Sequence, residues 1–186
     1  MIARIVCSYV LGLALAAGAA HAENVVIDQS EIGFTVKQMG VNFAGRFTRW
    51  KADVVFEPRA LARSKADIDV ELASIDLASA ESEAEAKSAR WFDTGKFPVA
   101  RFTSTSIRDL GDNRFDVVGK LSLKGVTRDY TVPIAVKTDA TGHRIVEGTF
   151  SLNRRDYSIG QGEWADPSIV GDNVQVRVRM VLRPTA

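Results

Sequence analysis

Val174-Gln175-Val176-Arg177-Val178-Arg179-Met180-Val181-Leu182-Arg183 decides the fold. Val174, Val176, Val178, Met180 and Leu182 alternate with Gln175, Arg177, Arg179 and Arg183. Successive side chains of a strand point to opposite faces, so this ribbon has one dry and one wet face. The pattern recurs upstream. Ile68, Val70 and Leu72 alternate with Asp67, Asp69 and Glu71. Phe115, Val117, Leu121 and Leu123 alternate with Asp116, Lys120, Ser122 and Lys124, with Gly119 on the dry side. Val126, Tyr130, Val132, Ile134 and Val136 alternate with Thr127, Asp129, Thr131 and Lys137, and Arg128 is the polar member of that dry row.

Read outward from these runs, the chain carries eight strands, at about 24–38, 44–56, 65–77, 99–109, 113–123, 126–138, 143–153 and 172–183. Asp28-Gln29-Ser30 is a possible bend in the first. Gly111-Asp112-Asn113, Lys124-Gly125 and Thr141-Gly142 are tight-turn signals between neighbouring runs. Two strands change phase, after Phe47 and after Leu72, and a β-bulge explains each. Pro133 cannot donate to a ladder and marks an edge-like or bulged position. One short helix is expected at about 80–91. Ser82 and Glu85 form a capping box, acids precede bases, and Glu83 and Lys87 are a favourable i,i+4 pair. Its apolar side is alanine until Trp91-Phe92, so it lies across a mouth or flank, anchored by those two aromatics. The expected fold is all-β, an eight-stranded antiparallel barrel wide enough for a slender ligand, with the helix packed on it. A two-sheet sandwich has the same signature.

The opening of the 186-residue chain reads differently. Arg4, the apolar run Val10–Ala20 and Ala20-His21-Ala22 make a secretory signal over residues 1–22, cleaved between Ala22 and Glu23. Residues 23–186 then form a single exported domain. Cys7, the one cysteine, and His21 leave with the signal. Disulfides, thiolate catalysis and cysteine–histidine metal sites are thereby excluded, and no metal is expected. Loss of Arg4 balances Lys+Arg against 23 Asp+Glu. No basic surplus points to nucleic acid, and no later run is long enough for a transmembrane helix.

Catalytic signals are weak. His143 follows Thr141-Gly142 in a turn, where a solvated surface role is the common one. Asp67, Asp69 and Glu71 sit on a wet strand face, and no Gly-rich phosphate loop exists. No catalytic residue and no cofactor is assigned. Asn153-Arg154-Arg155-Asp156-Tyr157 ends a strand and opens the longest loop. Arginine beside an aromatic at a barrel mouth can hold an anionic or carbonyl head group. It can equally tie the loop to the wall through an Arg–Asp pair. Arg154, Arg155 and Arg128 are the head-group candidates. The aromatic residues either fill a core or line an apolar tunnel. Phe34, Val36, Phe43, Phe47, Trp91, Phe92, Phe102, Phe115, Tyr130, Phe150, Tyr157 and Trp164 are the candidate lining.

These residues also carry a resemblance. Asp28-x-Ser30-x-Ile32-x-Phe34-x-Val36 with Gly40 and Gly45-Arg46-Phe47 resembles the opening of the YceI family. Ser74-Ile75-Asp76, Trp91-Phe92-Asp93 with Phe97-Pro98, and Arg101-Phe102-x-Ser104-Thr105 follow in order. Gly119-Lys120-Leu121-Ser122-Leu123-x-Gly125-Val126-Thr127 and Asn153-Arg154-x-Asp156-Tyr157 complete it. The resemblance implies a lipocalin-like eight-stranded barrel, a periplasmic location and an elongated tunnel for a polyisoprenoid chain, such as an isoprenoid quinone or a prenyl pyrophosphate. The expected function is sequestration or carriage of that lipid, by a monomer or homodimer, with transient membrane or membrane-protein contact. An integral outer-membrane barrel with its apolar face turned to lipid, a hydrolase with an apolar cleft and a ligand-free interaction barrel or sandwich are the competing readings.

Overall fold

In the computed structural model, which describes residues 24–183, the alternating runs are antiparallel strands whose dry rows face a common interior. The expected signal over 1–22 and its cleavage at Ala22 and Glu23 lie outside the described residues. The strands are β1 (Asn24–Val25), β2 (Glu31–Gln38), β3 (Val41–Phe47), β4 (Trp50–Val55), β5 (Lys65–Glu71), β6 (Ile75–Asp76), β7 (Val99–Gly111), β8 (Arg114–Leu123), β9 (Val126–Thr138), β10 (Arg144–Asn153) and β11 (Val170–Arg183). The ladder runs β4-β5-β7-β8-β9-β10-β11-β2-β3-β6, with β1 on the side against β11.

Ten strands rather than eight therefore follow one another along the sheet, and it curls into a half-barrel whose ladder ends at β4 and β6. The difference from eight has a local cause. The expected strand at 24–38 is interrupted by a 3-10 turn at Ile27–Gln29. That at 44–56 breaks after Phe47, and that at 65–77 breaks at a second 3-10 turn, Leu72–Ser74. These last two breaks are where the side-chain phase changes. The two segments stay paired with each other on both sides, Phe47 opposite Ile75 and Trp50 opposite Val70, so residues 48–49 face residues 71–74 in a bulge-like register shift, longer than a one-residue bulge and braced by Ser74. Thr48 N donates to Ser74 O (3.1 Å). Arg49 N donates to Ser74 Oγ (3.0 Å), which itself donates to Glu71 O (2.7 Å). Ser74 is buried.

A second departure lies between β9 and β10. Their ladder extends only from Arg144 opposite Thr138 to Gly148 opposite Ile134. Before Ile134, β9 pairs with β8 alone. Pro133 stands at that boundary, a one-sided position that suits its missing N–H. The 3-10 turn Arg154–Tyr157 docks on the diverging stretch. Tyr157, fully buried, packs with Leu123, Val126 and Tyr130. Tyr130 also meets Phe150, ring to ring at 5.6 Å.

The helix α1 spans Ala80–Lys87, shorter than the expected 80–91. Its cap is Ser79, whose Oγ accepts from Ser82 N (3.1 Å). Ser82 therefore lies inside the first turn, and the Ser82–Glu85 box does not form. Phe92 N reaches back to Ala86 O (3.0 Å) and Asp93 N to Ser88 O (2.8 Å), which ends the helix before Trp91. Glu83 and Lys87 pair at 3.7 Å.

Candidate ligand cavity

The dry rows do not meet in a filled core. They enclose a cavity of about 810 Å³, within the size range of small-molecule sites. Of the residues expected to line it, Phe34, Val36, Phe43 and Phe47 do so from β2 and β3, Phe102 from β7 and Phe150 from β10. Trp91, Phe92 and Trp164 border it from the segments around α1 and before β11. Phe47 lies 5.7 Å from Phe34 and 6.0 Å from Phe92, ring to ring. Gly45 permits this: a Cβ there would fall 2.6 Å from the Phe34 ring and 2.5 Å from Leu77.

Phe115, Tyr130 and Tyr157 do not line the cavity. Phe115 stacks edge-on against Phe56, which does line the cavity, at 5.1 Å. Tyr130 and Tyr157 fill the β9–β10 divergence instead. Burial, helped by the neighbouring Tyr130 hydroxyl, pushes the Tyr157 phenol far above its ordinary pKa. Aromatic residues drew attention in the sequence, yet much of the wall is aliphatic. Ile68 and Val70 of β5, Val117 of β8, and Val176 and Val178 of β11 all line it. The signal for them was the same alternation that defined the strands.

The polar lining is sparse: Gln38, Lys65, Glu81, Ser82, Glu85, Arg90 and Arg154. All but Lys65 lie towards the end carrying α1. There Glu85 joins two segments. Its Oε1 accepts from Trp164 Nε1 (2.9 Å), and its Oε2 from Arg90 Nη2 (3.1 Å). Arg90 Nη1 donates to Glu163 Oε1 (2.8 Å). Hydrogen bonding to Glu85, helped by its charge and that of Glu163, raises the Arg90 pKa. The indoles of Trp91 and Trp164 meet at 5.8 Å across the same end. Sequence reasoning passed over Glu85 and Arg90 because a Glu/Ala-rich helix reads as a solvated face.

The three head-group candidates are placed apart. Arg154 borders the cavity but is 1% exposed. Its Nη1 donates to Ile159 O (2.9 Å) and Gly160 O (3.0 Å), Nη2 to Val170 O (2.7 Å) and Nε to Gly171 O (3.1 Å). Nη2 also lies 3.2 Å from Asp172 Oδ1, an ion pair without hydrogen-bond geometry. Desolvation lowers the Arg154 pKa, though arginine stays charged in proteins. Its donors are committed to the loop, so it acts as a clamp. Gly160, at φ +75°, is required beside it, because a Cβ there would collide with Arg154 Nη1. Arg155 pairs with Asp172 (3.6 Å) and Arg128 with Asp156 (3.4 Å) on the exterior. Neither lines the cavity.

Chemistry beyond binding finds few groups. Among the described residues, no cluster of three or more His, Cys, Asp or Glu side chains could hold a metal. His143 sits 3.8 Å from Asp139 in its turn and does not line the cavity. Asp69 is held by Arg101 (2.5 and 2.9 Å) on the outer face, and that hydrogen bonding draws its pKa below the ordinary value. Among the described residues, no helix is long and apolar enough to cross a membrane.

A curled antiparallel sheet wrapped around one apolar cavity, with polar groups gathered at one end, defines a lipocalin-like class of fold. Within that class the chain belongs to the YceI-like domain family, whose model matches residues 24–182. A UPF0312 protein of Vibrio vulnificus is 38% identical over 119 residues, 61% of this chain. The chain spans 63% of that relative's length. A UPF0312 protein of Pseudomonas savastanoi is 30% identical over 174 residues, 86% of this chain and 88% of the relative. Among solved structures, Burkholderia cenocepacia BcnA is similar with a TM-score of 0.82 and 33% identity, covering 85% of this chain and 99% of that one. A Saccharophagus degradans domain has a TM-score of 0.69 and 17% identity, covering 89% and 99%. It is described as a polyisoprenoid binding domain implicated in plant cell wall breakdown.

Proposed function

We propose that this protein is a periplasmic carrier or store for one polyisoprenoid lipid, held tail-first in the cavity, and that it is a binder rather than an enzyme. The observation that carries the reading is the cavity of about 810 Å³, apolar along its walls and polar at the α1 end. Burying a long isoprenoid tail there is favoured by ~25 cal/mol for each Å² removed from water. Phe34, Phe43, Phe47, Phe102 and Phe150 contact the tail in this reading, and Glu85 and Arg90 stand nearest the head. Arg154 keeps the loop in place instead of meeting the head directly. The description of the Saccharophagus degradans neighbour agrees with a polyisoprenoid ligand, and at 17% identity its likeness carries the fold alone. The outward rows of β4 and β11 are Lys51, Asp53, Gln175, Arg177 and Arg179. Such rows give a bilayer core no apolar band, which disfavours an integral outer-membrane barrel.

Thermal unfolding of delipidated protein with isoprenoid quinones of increasing tail length tests the reading. Ligand that binds only the native state raises Tm by mass action, so the gain should rise with tail length at one lipid per chain. A gain independent of tail length would overturn the tail-first cavity.

A further inference from the structure

The β2–β3 hairpin ends in the two-residue turn Met39-Gly40, with φ +46° and +79°, the positive values of a tight hairpin turn. Two large apolar side chains at this tip face water: Met39 is 71% exposed and Val41 70%. Solitary exposed apolar residues are common, but this pair is continuous with the cavity. Val41, Phe43 and Phe47 share one face of β3 by their spacing, and Phe43 and Phe47 line the cavity. Gln38, opposite Val41, lines it too. The row thus runs from a wet tip into a dry interior. The tip is tied down, since Met39 N donates to Ile169 O (2.8 Å). Charge next to the tip is mixed: exposed Lys37 stands two residues before Met39 on β2, and exposed Asp166 lies in the loop whose Ile169 holds the tip.

We infer that this tip docks on the surface of a lipid bilayer, where Met39 and Val41 enter the acyl layer and lead a lipid tail along the β3 row into the cavity. Two side chains fall far short of the roughly 800 Å² per partner that a stable protein interface buries. A shallow hydrophobic anchor in a membrane needs no such area. The mixed charges around the tip give an anionic surface no basic patch to attract, so the contact is apolar and insensitive to salt. The inference rests on the lipid-carrier reading, and its test separates the two.

In a C7S background, M39C labelled with a polarity-sensitive fluorophore should brighten and shift to the blue on adding phosphatidylcholine vesicles, while label at T149C on the outer face of β10 should not. Raising KCl from about 0.1 to about 1 M, which shortens the screening length from about 10 to about 3 Å, should change the response less than about twofold. Transfer of a long-tailed isoprenoid quinone from protein to vesicles should accelerate with vesicle concentration and slow by about tenfold or more in M39D/V41D, with equilibrium quinone affinity unchanged. No response at M39C, or equal transfer by M39D/V41D, would overturn docking while leaving the carrier reading intact. A response at M39C without quinone binding would overturn the carrier reading and uphold docking. A dimer that M39D/V41D dissociates, with no vesicle response, would assign the tip to a second copy and overturn docking.

Discussion

Arg154 shows how a residue can be conspicuous in sequence and differently employed in the fold. An arginine beside a tyrosine at a strand end reads equally as a head-group ligand or as a loop tie. The deciding facts are non-local: four carbonyls, from Ile159, Gly160, Val170 and Gly171, converge on one guanidinium. R154A would leave these buried carbonyls without their donors, while Asp172 keeps Arg155, so we expect a loss of about 3–5 kcal/mol in urea unfolding. R154K should not restore it, because an ammonium has three donors and no planar fork. Other residues of the family resemblance serve the backbone as well. Ser30 Oγ donates to Val26 O (2.7 Å) and accepts from Val181 N (2.9 Å). Asn153 Oδ1 accepts from Arg155 N (2.9 Å). Some recognisable motif residues therefore hold bends, while others, Phe34, Val36, Phe47, Trp91, Phe92 and Phe102, line the cavity beside the less distinctive aliphatic alternation.

For individual elements, periodicity was legible and boundaries were less so. The dry rows of β8, β9 and β11 point inward as their alternation required, save for Arg128 of β9, which is exposed and pairs with Asp156, and both phase changes fall where Phe47 and Leu72 placed them. What the sequence did not reveal is how the phase changes are made, because a bulge and a paired break with a 3-10 turn move side chains alike. Ser79 was overlooked as the cap because Ser82 stands at the better-known spacing from Glu85. A helix of eight residues is marginal without tertiary support, so its cap should matter locally. S79A should cost about 0.5–2 kcal/mol, seen as faster hydrogen exchange over Ala80–Lys87, while S82A should have little effect. Trp91 is half-buried against Trp164 and the cavity. W91A should therefore cost about 2 kcal/mol, less than the ~3–5 of a fully buried tryptophan, and should loosen the same segment. An unchanged exchange rate in W91A would show that Glu85 and Arg90 suffice to hold it.

Across the whole molecule, charge and topology set the response to conditions. Arg101 holds Asp69 below its ordinary pKa, Arg49 does so for Glu71, and local hydrogen bonds from Thr141 and Ser168 do so for Asp139 and Asp166. Depressed carboxylate values mean that the unfolded chain takes up protons first as pH falls. Their contribution is complete above the unfolded carboxylate range and is lost through acid titration. Thermal stability should therefore be flat near neutrality and decline below about pH 4.5, as a calorimetric pH series would show. The half-barrel's ladder has a further consequence, for association. A long unpaired strand is a template on which another chain can grow by backbone pairing. Here the two terminal strands are the shorter parts of broken strands: β6 has two residues, and β4 has six, with Lys51 and Asp53 on its outward row. Breaking the long strands at Thr48–Arg49 and Leu72–Ser74 thus leaves a stranger only brief, charged stretches to pair with.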